Sequence, residues 1–176
     1  MLDPERIKIA ESNFRKDLNE GLIKKAAPDT NLIDALHDNA LESLSVADFL
    51  NKKDFSPLWV IVSSYYSMYY MAKAVLISIG FKVSGEVSHR VTGDALIVLV
   101  RNKLKKQLFE DLDEARTEFD EIDNLTDDII ELYDLEHKKR NDSQYVLGYE
   151  VKASKAGTSL ERAKQFVYEL EKLIIE

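Results

Sequence analysis

An arginine and its neighbours in the C-terminal part of the chain carry side chains suited to holding a phosphate. Arg140 can bind a phosphate through two parallel hydrogen bonds and offset its charge, and the adjacent Asn141 can orient the guanidinium. His137 precedes Arg140 by three residues, so a helix would place both on one face. We expect Arg140, Asn141 and Tyr145 to be catalytic and His137 to contact the phosphate. The simpler interpretation of His137 is a surface residue in a basic turn.

A second histidine, His89, follows Ser88 shortly after the most apolar segment of the chain. Histidine commonly acts as a general acid or base, so we count His89 as a further catalytic candidate. The simpler interpretation is a residue near a helix N-terminus, bonded to a carbonyl or to water.

Four tyrosines of the apolar segment form two pairs at i, i+4 spacing, Tyr65 with Tyr69 and Tyr66 with Tyr70. We expect at least three of them to pack in the core, where each buried hydroxyl needs a hydrogen-bond partner. One hydroxyl, that of Tyr66 or Tyr70, is expected to reach the phosphate held by Arg140.

Charge is segregated along the sequence. Basic clusters at 101–106 and 137–140 flank an acid-rich run from Glu110 to Glu136, and Lys138 joins the candidate phosphate-binding residues. The acids lack the regular ligand spacing of a metal site and no histidine lies among them until His137, so we expect neither a metal nor a cofactor. A solvated helix face is the simpler interpretation of the acidic run.

The apolar segment from Ser56 to Gly80 must be enclosed by the rest of the fold. Lys73 is its one formal charge, so a helix here would be apolar around nearly its whole circumference. Ser56 is expected to cap it, Pro57 to occupy its first position, and Gly80 to end it in the left-handed conformation. We assign Trp59 and Met68 to the core.

The remaining periodic segments also predict helices. One is expected over residues 3–27 and another, with Leu41 among its core-facing residues, over 32–50, antiparallel to the central helix. Residues 81–86 are expected to form a loop and 87–100 a helix, although 95–100 could be a buried strand. Helical stripes continue over 104–122 and 129–137, residues 145–152 look extended, and Ser159 is expected to cap the last helix. The sum is an all-α antiparallel bundle.

The length of the chain favours one domain over 1–176, with residues 1–30 as a helical extension at its N-terminus. The chain has no cysteine and no signal-like apolar start, which favours the cytoplasm. Serines, tyrosines and Lys73 interrupt the central run, which argues against a membrane span. A net charge of -8 argues against wholesale wrapping of nucleic acid, so we expect any RNA contact to be local.

The run from Tyr65 to Leu76 resembles the tyrosine-rich central helix of HEPN-domain proteins, especially the small stand-alone prokaryotic ones. Gly80, the pair Ser88–His89 and the spacing of Arg140 and Tyr145 match later parts of that pattern, so the resemblance covers roughly residues 40–175. It implies a bundle of about five to seven helices. It also implies metal-independent RNA cleavage at a composite site across a homodimer. A toxin-type or RNA-processing role follows, often beside a minimal nucleotidyltransferase that acts as antitoxin.

The sequence departs from the family at the second half of the catalytic motif. The motif continues from arginine to a histidine, but positions 144–147 are Gln, Tyr, Val and Leu. Cleavage by a ribose 2′-hydroxyl needs a base and an acid, and tyrosine, with a reference pKa of about 10, is a poor base. Phosphate binding is therefore better supported than catalysis. Two alternatives stay open: a non-catalytic helical module that binds a protein partner, and a nucleotide sensor.

Overall fold

The fold is an all-α bundle, as the sequence predicts. The computed structural model describes residues 4–84, 88–103, 112–119 and 153–175. Within these ranges it has six helices: α1 (Pro4–Glu20), α2 (Thr30–Lys52), α3 (Pro57–Ser78), α4 (Ser88–Leu99), α5 (112–119) and α6 (Ala153–Ile175). A single 3-10 turn (Arg101–Lys103) follows α4, and two short strands, β1 (Ile23–Lys25) and β2 (Phe81–Val83), form the one sheet of these ranges.

Helix α3 is the centre of the bundle. Met68, Met71, Ala72, Val75 and Leu76 are each fully buried, and α2 and α6 pack along the helix while α4 and β2 also contact it. The prediction of an enclosed central helix is therefore confirmed. The physical reason is that nearly the whole circumference of α3 is apolar, so other elements must cover it.

The two ends of α3 differ from each other in how well the sequence predicted them. Gly80 follows the helix with φ of 86°, the left-handed conformation expected of it. Ser56 precedes the helix, but its φ is 50° and its side chain makes no capping hydrogen bond, so the predicted cap is wrong. Trp59 is 56% exposed and its assignment to the core is also wrong, whereas Met68 is buried as expected.

Helix α2 packs antiparallel to α3, to which a four-residue connection (53–56) joins it. Asp29 caps its N-terminus by accepting a hydrogen bond from the Leu32 amide at 3.2 Å. Most of the predicted stripe faces inward; the buried members are Ile33, Leu36, Ala40 and Ala47. Leu41 is 37% exposed, so its predicted place on the core face is wrong.

The short sheet forms where the sequence predicted the end of a helix and a loop. Helix α1 ends at Glu20 instead of continuing to residue 27, because Gly21 takes φ of 73° and the chain turns away. Residues 81–83, expected in a loop, pair antiparallel with 23–25 in the register Ile23↔Val83. The pairing ties the end of α1 to the end of α3, and α1 adds Ala10 and Phe14 to the main core.

The later elements match the predictions in part. Residues 95–99 lie within α4, so the alternative of a buried strand is excluded. Leu112 and Ala115 of α5 are buried on the predicted stripe. Helix α6 begins at Ala153, so Ser159 lies inside the helix and does not cap it. The inward face of α6 is as predicted: Ala163, Phe166, Val167 and Leu170. The segments predicted at 129–137 and 145–152 lie outside the described residues.

Candidate functional site

His89, the second residue of α4, lies against the tyrosine face of α3. The Tyr65 hydroxyl and His89 Nδ1 are 2.7 Å apart, a hydrogen bond whose donor depends on the imidazole tautomer. The Tyr69 ring stacks on the imidazole with a centroid separation of 4.1 Å and an interplanar angle of 20°. One contact acts at the ring edge and the other on its face, so together they fix the position and the tilt of the imidazole.

Tyr69 also fixes the first turn of α4. Its hydroxyl donates a hydrogen bond to Ser88 Oγ at 2.8 Å. The Ser88–His89 pair is therefore held by two tyrosines one helical turn apart on α3, each through a hydroxyl, and α4 begins at a defined position relative to α3.

Phe119 of α5 covers the same tyrosine–histidine contact. Its ring stacks on Tyr65 at 4.7 Å and lies parallel to the His89 ring at 5.8 Å. Tyr66 meets His89 edge-on at 6.0 Å. We call this set the aromatic cluster: Tyr65, Tyr66, Tyr69, His89 and Phe119. Aromatic pairs of this kind each contribute roughly 0.5–1.5 kcal/mol beyond their burial, so the cluster also helps to hold α3, α4 and α5 together.

A positive charge lies beside the aromatic cluster. The Lys73 ammonium is 5.3 Å from the centroid of the Tyr69 ring, a cation–π contact. Lys73 is half-buried and is the one formal charge of α3. It supplies a positively charged group at the edge of the aromatic cluster that the sequence pattern did not indicate as part of the site.

The predicted site residues divide into two groups. His89 and Tyr66 come together, and Tyr70 lies at the edge of the cluster with its ring 5.7 Å from that of Tyr66. The other predicted residues lie outside the described ranges: His137, Lys138, Arg140, Asn141 and Tyr145. Their predicted place beside His89 stays a prediction.

Sequence reasoning favoured Tyr66 and Tyr70 and missed the roles of Tyr65 and Tyr69. Tyr65 is 2% exposed and Tyr69 is 7% exposed, and both hydroxyls reach the first turn of α4. The signal was present in the i, i+4 spacing, which puts these two residues on one face. The direction of that face depends on where α4 packs, which the spacing does not specify.

A second polar centre links α1, α4 and α5, and its hub is Asp94, which is 1% exposed. Asp94 Oδ1 accepts a hydrogen bond from Arg6 at 2.7 Å, and Oδ2 accepts one from Asn13 at 2.8 Å and one from Arg90 at 3.1 Å. We call this group with its outer carboxylates the ion network; its members are Arg6, Asn13, Asp17, Arg90, Asp94 and Asp113. Its members other than Asp17 line a cleft of about 360 Å³.

The outer carboxylates complete the ion network. Asp17, 1% exposed, accepts from both terminal nitrogens of Arg90, at 2.7 and 3.1 Å. Asp113 accepts from Arg6 Nε and Nη2 at 3.1 and 3.2 Å. Burial opposes the charge of Arg6, but its hydrogen bonds to Asp113 and Asp94 outweigh it and raise the pKa; the hydrogen bond to Asp17 raises the pKa of Arg90. These arginines are thus committed to their carboxylates.

The two centres suit different tasks. In the ion network every charged side chain has an oppositely charged partner, and the network joins α1, α4 and α5. The aromatic cluster instead holds an oriented, half-buried imidazole, and Lys73 lies against its Tyr69 ring. Within the described ranges no group of three His, Asp or Glu side chains could hold a metal. None of the helices there is long and apolar enough to cross a membrane. No family model matches the chain, and no curated protein does.

Proposed function

We propose that the chain is a HEPN-type protein that binds the phosphate of RNA or of a nucleotide beside the aromatic cluster. The observation that carries the proposal is the fixed imidazole of His89, bonded at Nδ1 to Tyr65 and stacked on Tyr69. An oriented, half-buried histidine and a lysine that contacts the same cluster are groups that a phosphate can bind, and the half-buried Tyr66 ring is a surface on which a base can stack.

In this proposal Arg140 holds the phosphate and Asn141 orients the guanidinium, with Tyr145, His137 and Lys138 around them. His89 takes the place of the histidine that the motif lacks at positions 144–147. For cleavage, a base accepts the proton of the ribose 2′-hydroxyl as its oxygen attacks phosphorus, and an acid protonates the leaving 5′-oxygen. His89 fits one of these two roles, so a ribonuclease would need the second group from 137–145.

The proposed cellular role follows from the resemblance to HEPN-domain proteins. The chain pairs as a homodimer in the cytoplasm and acts as a toxin-type or RNA-processing protein. A minimal nucleotidyltransferase is its proposed protein partner.

Binding of labelled single-stranded RNA, measured by fluorescence anisotropy at low salt, tests the proposal. We expect Arg140→Ala to weaken binding by about 10- to 100-fold, the loss of a charged hydrogen bond of about 1.5–3 kcal/mol. Arg15→Ala is the matched control, because Arg15 is an exposed arginine on α1. A wild-type protein that binds neither RNA nor nucleotides refutes the proposal, as does an equal effect of the two substitutions.

A non-catalytic protein-interaction module is the second candidate function. The absence of the motif histidine and the net charge of -8 favour it. In that case RNA stays intact in the assay and the chain co-purifies stably with the nucleotidyltransferase. Arg140→Ala would then weaken that complex and leave RNA binding unchanged.

A further inference from the structure

The proton of the neutral His89 imidazole can lie on either ring nitrogen, and its position decides what His89 can do. A neutral imidazole donates a hydrogen bond at one nitrogen and accepts at the other. At His89, Nδ1 is 2.7 Å from the Tyr65 hydroxyl. If the hydroxyl donates, Nδ1 accepts and the proton lies on Nε2. If Nδ1 donates, Nε2 keeps a lone pair. The direction of this hydrogen bond therefore distinguishes a donor from a base at Nε2.

The phenolic hydroxyl is the better donor of the two groups. Phenol has a reference pKa of about 10, whereas an imidazole N–H is far less acidic. The lone pair of imidazole, whose protonated form has a reference pKa of about 6.5, is also a better acceptor than a phenolic oxygen. The separation of 2.7 Å is shorter than the usual length of about 2.9–3.0 Å for a bond from N–H and fits a hydroxyl donor. The chemistry and the distance both favour donation from Tyr65 to Nδ1.

The surroundings of Tyr65 favour the same direction. Tyr65 is 2% exposed, and a buried hydroxyl needs an acceptor for its proton. Donation to Nδ1 supplies that acceptor within the aromatic cluster. Tyr69, one turn further along α3, acts in the same way, since its hydroxyl donates to Ser88 Oγ at 2.8 Å. Both hydroxyls on this face of α3 are thus directed at the first turn of α4.

Tyr65 also decides which edge of the imidazole faces α3. The rings of Tyr69, at 4.1 Å, and Phe119, at 5.8 Å, lie nearly parallel to the imidazole and fix its plane. Stacking alone permits the ring to turn over within that plane. Turning it over would place a carbon-bound hydrogen of the imidazole against the Tyr65 hydroxyl and lose the hydrogen bond. The Tyr65 hydroxyl therefore selects the orientation in which Nδ1 faces α3.

We infer that Tyr65 is a positioning residue that holds the proton of the resting, neutral His89 on Nε2. His89 then donates a hydrogen bond to the bound phosphate from Nε2 and does not serve as the base. Whatever lies against Nε2 must accept a hydrogen bond, and phosphate oxygens are strong acceptors. The inference rests on the proposed function and deepens it, because it assigns His89 one atom and one direction of hydrogen bonding.

The same assignment selects one of the two roles in cleavage. A base would take the proton of the 2′-hydroxyl at Nε2, but in the resting imidazole Nε2 already carries a proton. The acid role remains. In the protonated imidazole Nδ1–H donates to the Tyr65 oxygen, and Nε2 gives its proton to the 5′-oxygen as the bond from phosphorus to that oxygen breaks. The resting form returns when water takes the Nδ1 proton and gives one to Nε2. The base is then a group of 137–145.

Nitrogen NMR of the isotope-labelled full chain without RNA tests the inference. At about pH 8, above the reference pKa of imidazole, the neutral form is observed. We expect Nδ1 of His89 to resonate as a non-protonated nitrogen and Nε2 as a protonated one. The chain has three histidines, and His89→Gln identifies the His89 signals by their loss. Tyr65→Phe should shift the ratio of the two tautomers toward Nδ1–H by about 2- to 12-fold, the effect of losing one hydrogen bond.

Tyr69→Phe is the matched control. It removes a hydroxyl from the same face of α3 and loses the hydrogen bond to Ser88, so a general loosening of α4 would affect both variants alike. The His89 tautomer should nevertheless stay as in wild type. His37 is the internal reference, since its Nε2 lies 2.8 Å from a Glu171 carboxylate oxygen. Its signals should be unchanged in both variants, which shows that both fold.

A protonated Nδ1 in wild type overturns the inference. So does a tautomer ratio that Tyr65→Phe leaves unchanged, or that Tyr69→Phe shifts equally. A variant Tyr65→Phe that shifts the tautomer but binds RNA as wild type does overturns the link between Nε2 and the phosphate. Because the nitrogen signals are read without RNA, a failure of this inference is distinguishable from a failure of the proposed function, which the RNA assay shows.

Discussion

Removing the Asp94 carboxylate should destabilise the fold more than any change at a surface ion pair. Asp94 is 1% exposed and accepts three hydrogen bonds, from Arg6, Asn13 and Arg90. Two of these donors are on α1 and one is on α4, so the carboxylate joins helices that are distant in sequence. The substitution Asp94→Ala leaves the donors without that acceptor.

The magnitude follows from the partners that remain. Removing one member of a buried ion pair costs about 3–5 kcal/mol, and a hydrogen bond to a charged group contributes about 1.5–3 kcal/mol. Arg6 keeps Asp113 and Arg90 keeps Asp17, so the loss should be at the lower end. We expect Asp94→Ala to lower the free energy of unfolding by about 3 kcal/mol and Asp94→Asn by about 2 kcal/mol.

Urea denaturation followed by circular dichroism measures this loss. With an m-value of about 2 kcal/mol/M, the midpoint of Asp94→Ala should fall by about 1.5 M. Glu20→Ala is the control: Glu20 lies on α1, as Arg6 and Asn13 do, and pairs with Lys16 at 3.9 Å, where both side chains are at least half exposed, so the change should be at most about 0.5 kcal/mol. Equal midpoints for the two variants would refute the role assigned to the ion network.

Three further predictions concern the turn after α3, the aromatic cluster and the α2–α6 contact. Gly80→Ala should cost about 1–2 kcal/mol in thermal unfolding because φ is 86°, whereas Gly157→Ala, in a helix with open space at Cβ, should be neutral or stabilising. Tyr65→Phe should cost about 1 kcal/mol and weaken RNA binding, while Tyr168→Phe should do neither; an unchanged RNA affinity would contradict the role of Tyr65. Hydrogen bonds from Lys52 and Lys164 lower the pKa of Asp48, and the hydrogen bond to Asp48 raises the pKa of Lys164. The stabilisation by the Asp48 carboxylate is therefore complete only above its unfolded pKa and is lost as pH falls through its lower folded pKa. The stabilisation by the Lys164 ammonium is complete only below its unfolded pKa and is lost as pH rises through its higher folded pKa. The Tm deficit of Asp48→Asn should shrink as pH falls below 3.8, and that of Lys164→Met as pH rises above 10.5; deficits constant with pH would contradict this.

The parts of the fold that depend on local pattern were predictable. The periodicity of α2 and the uniformly apolar α3 specify a bundle, because such faces must be buried. The strands were missed because three residues are too few to show an alternating pattern, and each strand forms only by pairing with the other. The exposure of Trp59 was missed for a related reason. A helix that is apolar all round does not indicate which side its neighbours leave open.

Only those parts of the candidate site whose residues lie close together in the sequence were predictable. The pair Ser88–His89 and the tyrosine spacing are visible in the sequence, and the aromatic cluster joins them. The ion network was not visible, because Arg6 and Asp94 are 88 positions apart and Arg6 and Asp113 are 107 positions apart. Charged residues at such separations show no pairing until the helices are packed.

A double-mutant cycle between His89 and Arg140 in RNA binding tests the central claim most directly, because it asks whether both side chains act on one phosphate. We expect each of His89→Ala and Arg140→Ala to weaken binding by about tenfold or more, and the double variant to weaken it by clearly less than the product, with a coupling of at least about 1 kcal/mol. His37→Ala, on the α2–α6 contact with Glu171, should show no coupling to Arg140→Ala. Additive effects of His89 and Arg140, or no RNA binding by wild type, would contradict the account.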